Sequence, residues 1–188
     1  MNILIINGHP DKGSFVSALF DAYVANVNQT RHNVKILDLA VMKFDPVLRF
    51  GLRERMEPDK EIELSQELTK WTDHFVFFYP IWFGAVPSLL KGWFERVFTP
   101  GVAYNMDGFK IIKHLKNKTA HLVYTSGGPV FWQIISGNLE LRMVKRVLGF
   151  CGIKIIRIDR LGFTVGKYEN AENRKKFLQH IGNRAREV

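Results

Sequence analysis

Five short apolar runs, each followed by residues with their apolar positions at helical spacing, set the frame of this chain. Ile3 to Asn7 is a continuous apolar run ending at Gly8, the pattern of a strand buried on both faces. Ser14 then opens a helical stretch with Phe15, Leu19, Tyr23 and Val27 on one side. Val34 to Leu39 alternates and reads as a second strand. From Ala40 to Lys60, Pro46, Gly51 and Pro58 interrupt any period, so this segment is expected to be a long excursion holding at most a short helix, before a helix from about Glu61 to Trp71. Phe75 to Tyr79 is the third strand, and Pro87 to Phe98 the helix after it. Ala120 to Thr125 is the fourth strand. A helix marked by Leu139, Met143 and Val147 stops near Gly149, Ile153 to Ile158 is the fifth strand, and Asn170 caps a last helix with Phe177, Leu178, Ile181 and Ala185 inward. Strands alternating with helices predict an α/β fold, a three-layer α/β/α sandwich over a single domain, residues 1–188, with a five-stranded parallel sheet in the order 2-1-3-4-5.

In that order the loops after strands one, three and four meet beside the switch point. The first, Gly8-His9-Pro10-Asp11-Lys12-Gly13-Ser14, joins a strand to a helix N-terminus, where free N–H groups and the helix dipole favour phosphate. Gly8 and Gly13 are spaced as the glycines of a Walker A loop, but the lysine expected between the second glycine and Ser14 is missing, which argues against an NTPase. An ordinary βα loop with Ser14 or Ser17 as helix cap is the plain alternative. The second loop, Pro80-Ile81-Trp82-Phe83-Gly84, reads as an aromatic turn that would wall in a flat ligand. The third, Thr125-Ser126-Gly127-Gly128, lets backbone approach a ligand closely. Behind the aromatic turn, Leu89, Leu90, Trp93, Phe94 and Phe98 make an apolar helix surface wider than one face needs. Deep burial and a subunit interface both account for it, and Trp93, Phe94 or Phe98 is expected to face a second subunit.

Composition narrows the partners. The chain has 188 residues, 46% of them hydrophobic, and no apolar run near the ~20 residues that a bilayer span needs. It opens with no basic stretch leading into a signal-type apolar segment. With one cysteine, Cys151, no intrachain disulfide can form, and a reducing cytoplasm is the expected compartment. The net charge of +9 favours anionic partners. No helix-turn-helix, zinc-finger or RNP pattern accompanies it, so nucleic acid is not an expected partner; the clusters at Lys110 to Lys118 and Arg174 to Lys176 read as solvated faces, and a peripheral membrane contact stays open. His9, His32, His74, His114, His121 and His180 lack close metal-ligand spacing. His74 and His121 fall in or at strands and read as structural, and Cys151 as a small buried hydrophobe.

An anion cradle beside aromatic walls and a close-approach glycine turn suits a phosphorylated, planar, redox-active cofactor. Flavin fits better than nicotinamide as the resident group, because Gly-x-Gly-x-x-Gly is absent. The protein would bind and orient it, and the cofactor would carry the hydride chemistry.

The stretch Pro80-Ile81-Trp82-Phe83-Gly84-Ala85-Val86-Pro87, continued by Leu90-Lys91-Gly92-Trp93-Phe94-Glu95-Arg96-Val97-Phe98 and Ala103-Tyr104, resembles the signature of the flavodoxin-like NAD(P)H:quinone oxidoreductases. Gly8-His9-Pro10 with Ser14-Phe15, and Thr125 to Gly128, are similar to that family's phosphate loop and glycine turn. The resemblance implies a flavodoxin-like fold and a homodimer with flavin at the subunit interface. It implies ping-pong kinetics in which NAD(P)H reduces the flavin and a quinone or similar acceptor then takes the hydride. His9, Ser14, Phe15 and Ser17 would serve the flavin phosphate. Pro80 to Gly84 and Thr125 to Gly128 would hold the isoalloxazine, with Gly127 and Gly128 supplying backbone N–H groups to its polar edge. Tyr104 would stand at the nicotinamide and quinone end, contributed to the partner's site. Two departures stand out: Phe131-Trp132-Gln133 replaces a family tyrosine with a following histidine, and Val16 replaces an asparagine. The long C-terminal extension of the larger members is missing, so FMN is expected, with FAD the alternative. A regulatory flavoprotein subunit of a potassium-efflux type transporter is the competing reading, and a one-electron flavodoxin carrier a third.

Overall fold

A computed structural model describes residues 1–51, 53–129, 131, 135, 137 and 139–188, except the side chains of Leu139, Glu140 and Tyr168. The apolar runs become parallel strands β1 (Asn2–Asn7), β2 (Asn33–Asp38), β3 (His74–Ile81), β6 (Thr119–Ser126) and β7 (Lys154–Leu161). They lie in the order β2-β1-β3-β6-β7, which is the expected 2-1-3-4-5 once two short strands are allowed for. Those two, β4 (Tyr104–Asp107) and β5 (Lys110–Lys113), form a separate antiparallel hairpin. Asp107-Gly108 sits at its turn, with Gly108 at φ 57, a residue pair that favours tight hairpins. Lys110 to Lys113, expected only as a solvated face, is therefore a strand.

Helices α1 (Phe15–Asn26), α2 (Lys60–Trp71), α3 (Ser88–Val97), α4 (Leu139–Cys151) and α5 (Ala171–Arg186) cover both faces. One core joins α3 and α4 to the sheet through Phe75, Phe77, Tyr79, Leu122 and Tyr124; the other joins α1 and α5 through Ile3, Ile5, Val76, Phe78 and Val123. Ser14 caps α1, its Oγ accepting from the Ser17 N–H, and Asn170 caps α5 by accepting from Glu172 and Asn173. Helix α4 runs two residues past Gly149 and ends at Gly152, whose φ of 102 suits glycine alone.

The expectation that Trp93, Phe94 or Phe98 faces a second subunit is overturned. All three are buried in the chain's own core, at 0%, 2% and 6% exposure, in edge and tilted contacts with Phe75 and Phe77. The wide apolar surface is consumed by the excursion: Pro46 lies against Gly92, Met42 and Phe44 pack on the same core, and the buried Arg96 donates to the Asp45 carbonyl.

His74 and His121 take the structural role expected of them. His74 Nδ1 meets Thr119 Oγ1 at 2.7 Å, and His121 Nε2 meets Asp159 Oδ2 at 2.8 Å, with His180 Nε2 on the other carboxylate oxygen at 2.8 Å. Burial, reinforced by the positive charge of His121 and Arg157, holds His74 down at about 4, and burial also lowers His121 against the pull of Asp159. The His74 imidazole stays neutral in the fold at a pH where an unfolded chain would already protonate it. Stability is thus intact above about pH 6.5 and falls as the pH drops toward 4, by roughly 3 kcal/mol for His74 alone. Urea unfolding between pH 7.5 and 4.5 should show this loss, and His74→Asn should flatten it whatever that variant's stability at pH 7.5.

Candidate functional site

At the carboxyl ends of the strands a cavity of about 610 Å³ is lined by four loops and by the first turn of two helices. The structure brings together His9, Ser14, Phe15, Pro80, Ile81, Trp82, Phe83, Thr125, Ser126 and Gly127 on its walls. These residues come from segments more than a hundred positions apart in the chain, so their meeting follows from the sheet order alone.

The first loop is braced from beneath. Asn7, at the end of β1, donates through Nδ2 to Ser17 Oγ and Asp38 Oδ1, each at 3.0 Å, and its Oδ1 accepts from the His9 N–H at 3.1 Å. Ser17 Oγ in turn donates to the Asp11 carbonyl at 2.9 Å and receives the Ser14 hydroxyl at 3.0 Å. Ser17 is buried, so its hydroxyl shapes the loop and does not face the cavity, a correction to its expected role at the phosphate. Ser14 caps the Ser17 N–H, leaving the N–H groups of Phe15 and Val16 in the first turn of α1 for an anion.

His9 is held in one tautomer. Its Nδ1 accepts from the Asp11 N–H at 2.9 Å, which leaves the proton on Nε2, and its ring stands edge-on to Trp82 with centroids 5.3 Å apart. Burial lowers its pKa against the opposing charge of Asp11, so it is a neutral donor at pH 7.

Strand β3 continues through Pro80 and Ile81, so the aromatic turn is shorter than expected. Trp82 and Ala85 exchange two backbone hydrogen bonds of 2.9 Å, closing a two-residue turn at Phe83 and Gly84, with φ of 50 and 73. Glycine takes that conformation freely, whereas for Phe83 it costs on the order of 1 kcal/mol. The strained residue carries its ring fully into solvent at the cavity lip. Gly84 completes the turn without lining the cavity.

The glycine turn is strapped from the β7 side. Thr164 donates to the Ser126 carbonyl through both its N–H (3.2 Å) and its hydroxyl (3.0 Å), and the Phe163 N–H donates to the Gly128 carbonyl at 3.2 Å. A Cβ on Gly127 would stand 2.8 Å from Val165 Cγ2, so a larger residue there would have to displace the Val165 side chain. Gly128 shapes the turn from outside the cavity wall.

Three lining residues lay outside the sequence expectation: Thr164, Val165 and Arg174. Arg174 is the important one, because it is the cation that lines the cavity beside the first turn of α1. Its guanidinium carbon is 4.6 Å from the centre of the Phe15 ring, one arm pairs with Glu169, and its Nε is buried with no partner among the described residues. Its position in the first turn of a capped helix after the last strand was the available signal; reading the basic cluster as a solvated face hid it.

Tyr104 is not brought to this cavity. It lies on β4 with its ring edge-on to Phe150 at 4.7 Å, beside a separate apolar groove of about 360 Å³ with Phe94, Phe98, Arg146 and Cys151. Burial, and then Cys151, raises its phenol pKa. Cys151 is buried and its thiol pushed up to about 12, which removes it as a nucleophile at neutral pH. Trp132 and Gln133, singled out as a departure after the glycine turn, lie outside the described residues.

A twisted parallel sheet in this order, with an anion-type loop and an aromatic turn at the carboxyl ends of its strands, defines a flavodoxin-like protein. The chain belongs to the Flavodoxin-like fold family, whose pattern it matches over residues 1–185. It is 31% identical over 201 aligned positions to NAD(P)H dehydrogenase (quinone) 1 of Cavia porcellus, covering 87% of this chain and 68% of that one. It is 26% identical to ribosyldihydronicotinamide dehydrogenase (quinone) of Mus musculus, over 99% of this chain and 91% of that one. Among solved structures, Smu.1420 from Streptococcus mutans superposes with a TM-score of 0.86 at 28% identity, each chain covered completely.

Proposed function

We propose that this protein is a flavin-dependent NAD(P)H:quinone oxidoreductase that holds FMN and works by a two-electron ping-pong exchange. The observation that carries the reading is Arg174 with its buried, unpartnered Nε beside the first turn of α1, a donor set waiting for a phosphate at one end of an aromatic-walled cavity. The names of the related quinone dehydrogenases support the choice of donor and acceptor.

A bound flavin would supply the hydride chemistry between a reduced nicotinamide and the acceptor. The chain's own part would be binding and electrostatics. Phe15 and Val16 N–H groups, the Nε2–H of His9 and Arg174 would hold the phosphate. Trp82 and Phe83 would supply the flat apolar wall, and the turn from Thr125 to Gly128 would lend backbone N–H groups to the polar edge of the ring, where they would favour added negative charge. Phe83 standing free at the lip leaves one side of the cavity open for donor and acceptor to use in turn. Tyr104 lies outside its own chain's cavity, so it can meet an acceptor only when a second copy carries it there; on this ground we read the active form as a homodimer.

Protein purified without added cofactor should be yellow, release a compound of FMN mass on denaturation, and oxidise NADH or NADPH with menadione along parallel double-reciprocal lines. A colourless protein that takes up neither FMN nor FAD and leaves NAD(P)H untouched overturns the reading. Release of FAD instead would revise the cofactor and keep the reaction.

A further inference from the structure

The end of the sheet opposite the cavity gathers lysines from four separate segments. Lys70 closes α2, Lys113 closes β5, Lys116 and Lys118 precede β6, and Lys154 opens β7. Backbone contacts hold them together: the Lys154 N–H donates to the Lys118 carbonyl at 2.9 Å, Leu115 N–H to the Cys151 carbonyl at 3.1 Å, and Gly152 packs directly on Lys113 and Lys116.

Two of the five have structural duties. Lys118 Nζ donates to the carbonyls of Lys70 and Thr72, and Lys113 Nζ to the carbonyl of Gly149 at 2.6 Å, so they satisfy the carboxyl ends of α2 and α4 and offset the negative ends of those helix dipoles. The remaining three, Lys70, Lys116 and Lys154, are exposed, and none pairs with a carboxylate among the described residues. Asp73 also stands at this end, its Oδ2 accepting from the Asn2 N–H at 2.8 Å, and its negative charge acts on Lys118. The five lysines outnumber it, so the cluster keeps a net positive charge.

We propose that this lysine end is a docking surface for an anionic lipid bilayer. All five cations are lysines, compact charges on flexible stems without the planar fork by which arginine grips one shaped anion, and such groups suit a diffuse anionic field. A second copy of this chain, also at +9, is repelled from the same end. Docked this way, the cofactor cavity at the other end of the strands faces away from the lipid and stays open to water-borne nicotinamide.

Co-sedimentation with vesicles tests the assignment. The wild-type chain should bind phosphatidylcholine vesicles containing 30% phosphatidylglycerol at 20 mM salt, leave them at 300 mM, and ignore pure phosphatidylcholine. Each lysine near such a surface is worth about fivefold in partitioning, so the Lys70→Glu, Lys116→Glu, Lys154→Glu variant should lose about a hundredfold or more. A control with equal charge change at the cavity end, Lys12→Glu, Lys175→Glu, Lys176→Glu, should lose less than tenfold. Equal losses in both variants would reduce the effect to net charge and overturn the assignment, as would absence of wild-type binding at low salt. Retention of the wild type by single-stranded DNA or an acidic polypeptide but not by vesicles would overturn it in favour of that other polyanion. The readout needs no flavin, so its failure is separate from failure of the proposed reaction.

Discussion

Arg174→Ala should weaken FMN binding about thirtyfold or more while leaving riboflavin binding within a factor of about three. A charge-assisted contact contributes ~1.5–3 kcal/mol, and on the proposed reading a phosphate would meet this guanidinium, whose face lies on Phe15 and whose Nε has no partner among the described residues. Arg174→Lys should recover only part of the loss, since lysine restores charge but neither the fork nor the stacking plane. Quenching of flavin fluorescence on titration measures both ligands in one format. Equal weakening of FMN and riboflavin would mean that Arg174 acts by holding α5 in place and not by contacting phosphate. The riboflavin arm matters, because the Arg174 pair with Glu169 also helps tie the loop before α5 to the helix.

The second large effect concerns stability. Gly92→Ala places a Cβ 2.4 Å from the Pro46 carbonyl oxygen and 2.5 Å from Pro46 Cβ, both on the excursion that covers α3. Alanine gains ~1 kcal/mol of intrinsic helix preference over glycine. Overpacking against backbone outweighs it: Pro46 must move, the Arg96 contact with the Asp45 carbonyl is lost, and Met42 and Phe44 are uncovered. A net destabilisation of about 2 kcal/mol or more is expected by urea unfolding. An unchanged or raised midpoint would show that the excursion gives way without cost.

What was legible in the sequence follows from which physical rule governed each segment. Strands with both faces buried, such as Ile3 to Ile6 and Phe75 to Tyr79, announce themselves by unbroken apolar runs, and the alternation with helices fixes the sheet order. The three site loops were readable because Gly, Pro and aromatic residues at strand ends have few other uses. The β4–β5 hairpin was missed because its outer positions are polar and its strands are only four residues long, with Asp107-Gly108 as the lone signal. Strand β7 runs on past the expected end at Ile158 to Leu161. A register irregularity opposite Ala120 and His121 shifts its alternation, and Asp159 is received between His121 and His180. Arg174 was out of reach for a different reason: a cation on a helix surface looks the same in sequence whether it meets water or a cavity. Ser17 shows the converse, a polar residue near a presumed ligand whose hydroxyl is spent on the loop itself.

The internal bracing of that first loop has a consequence for exchange. Asn7, Ser14, Ser17 and Asp38 hold Gly8 to Ser14 in shape through side-chain bonds made within the chain, so capture of a phosphate there requires little ordering of backbone. On the proposed reading, arrival would be a rigid-body encounter steered by charge at this end, and release would begin at the opposite rim, where the Phe83 ring stands in solvent. Loading and retention would then reside on different loops, one end of the cradle setting how fast a cofactor comes and the other how long it stays.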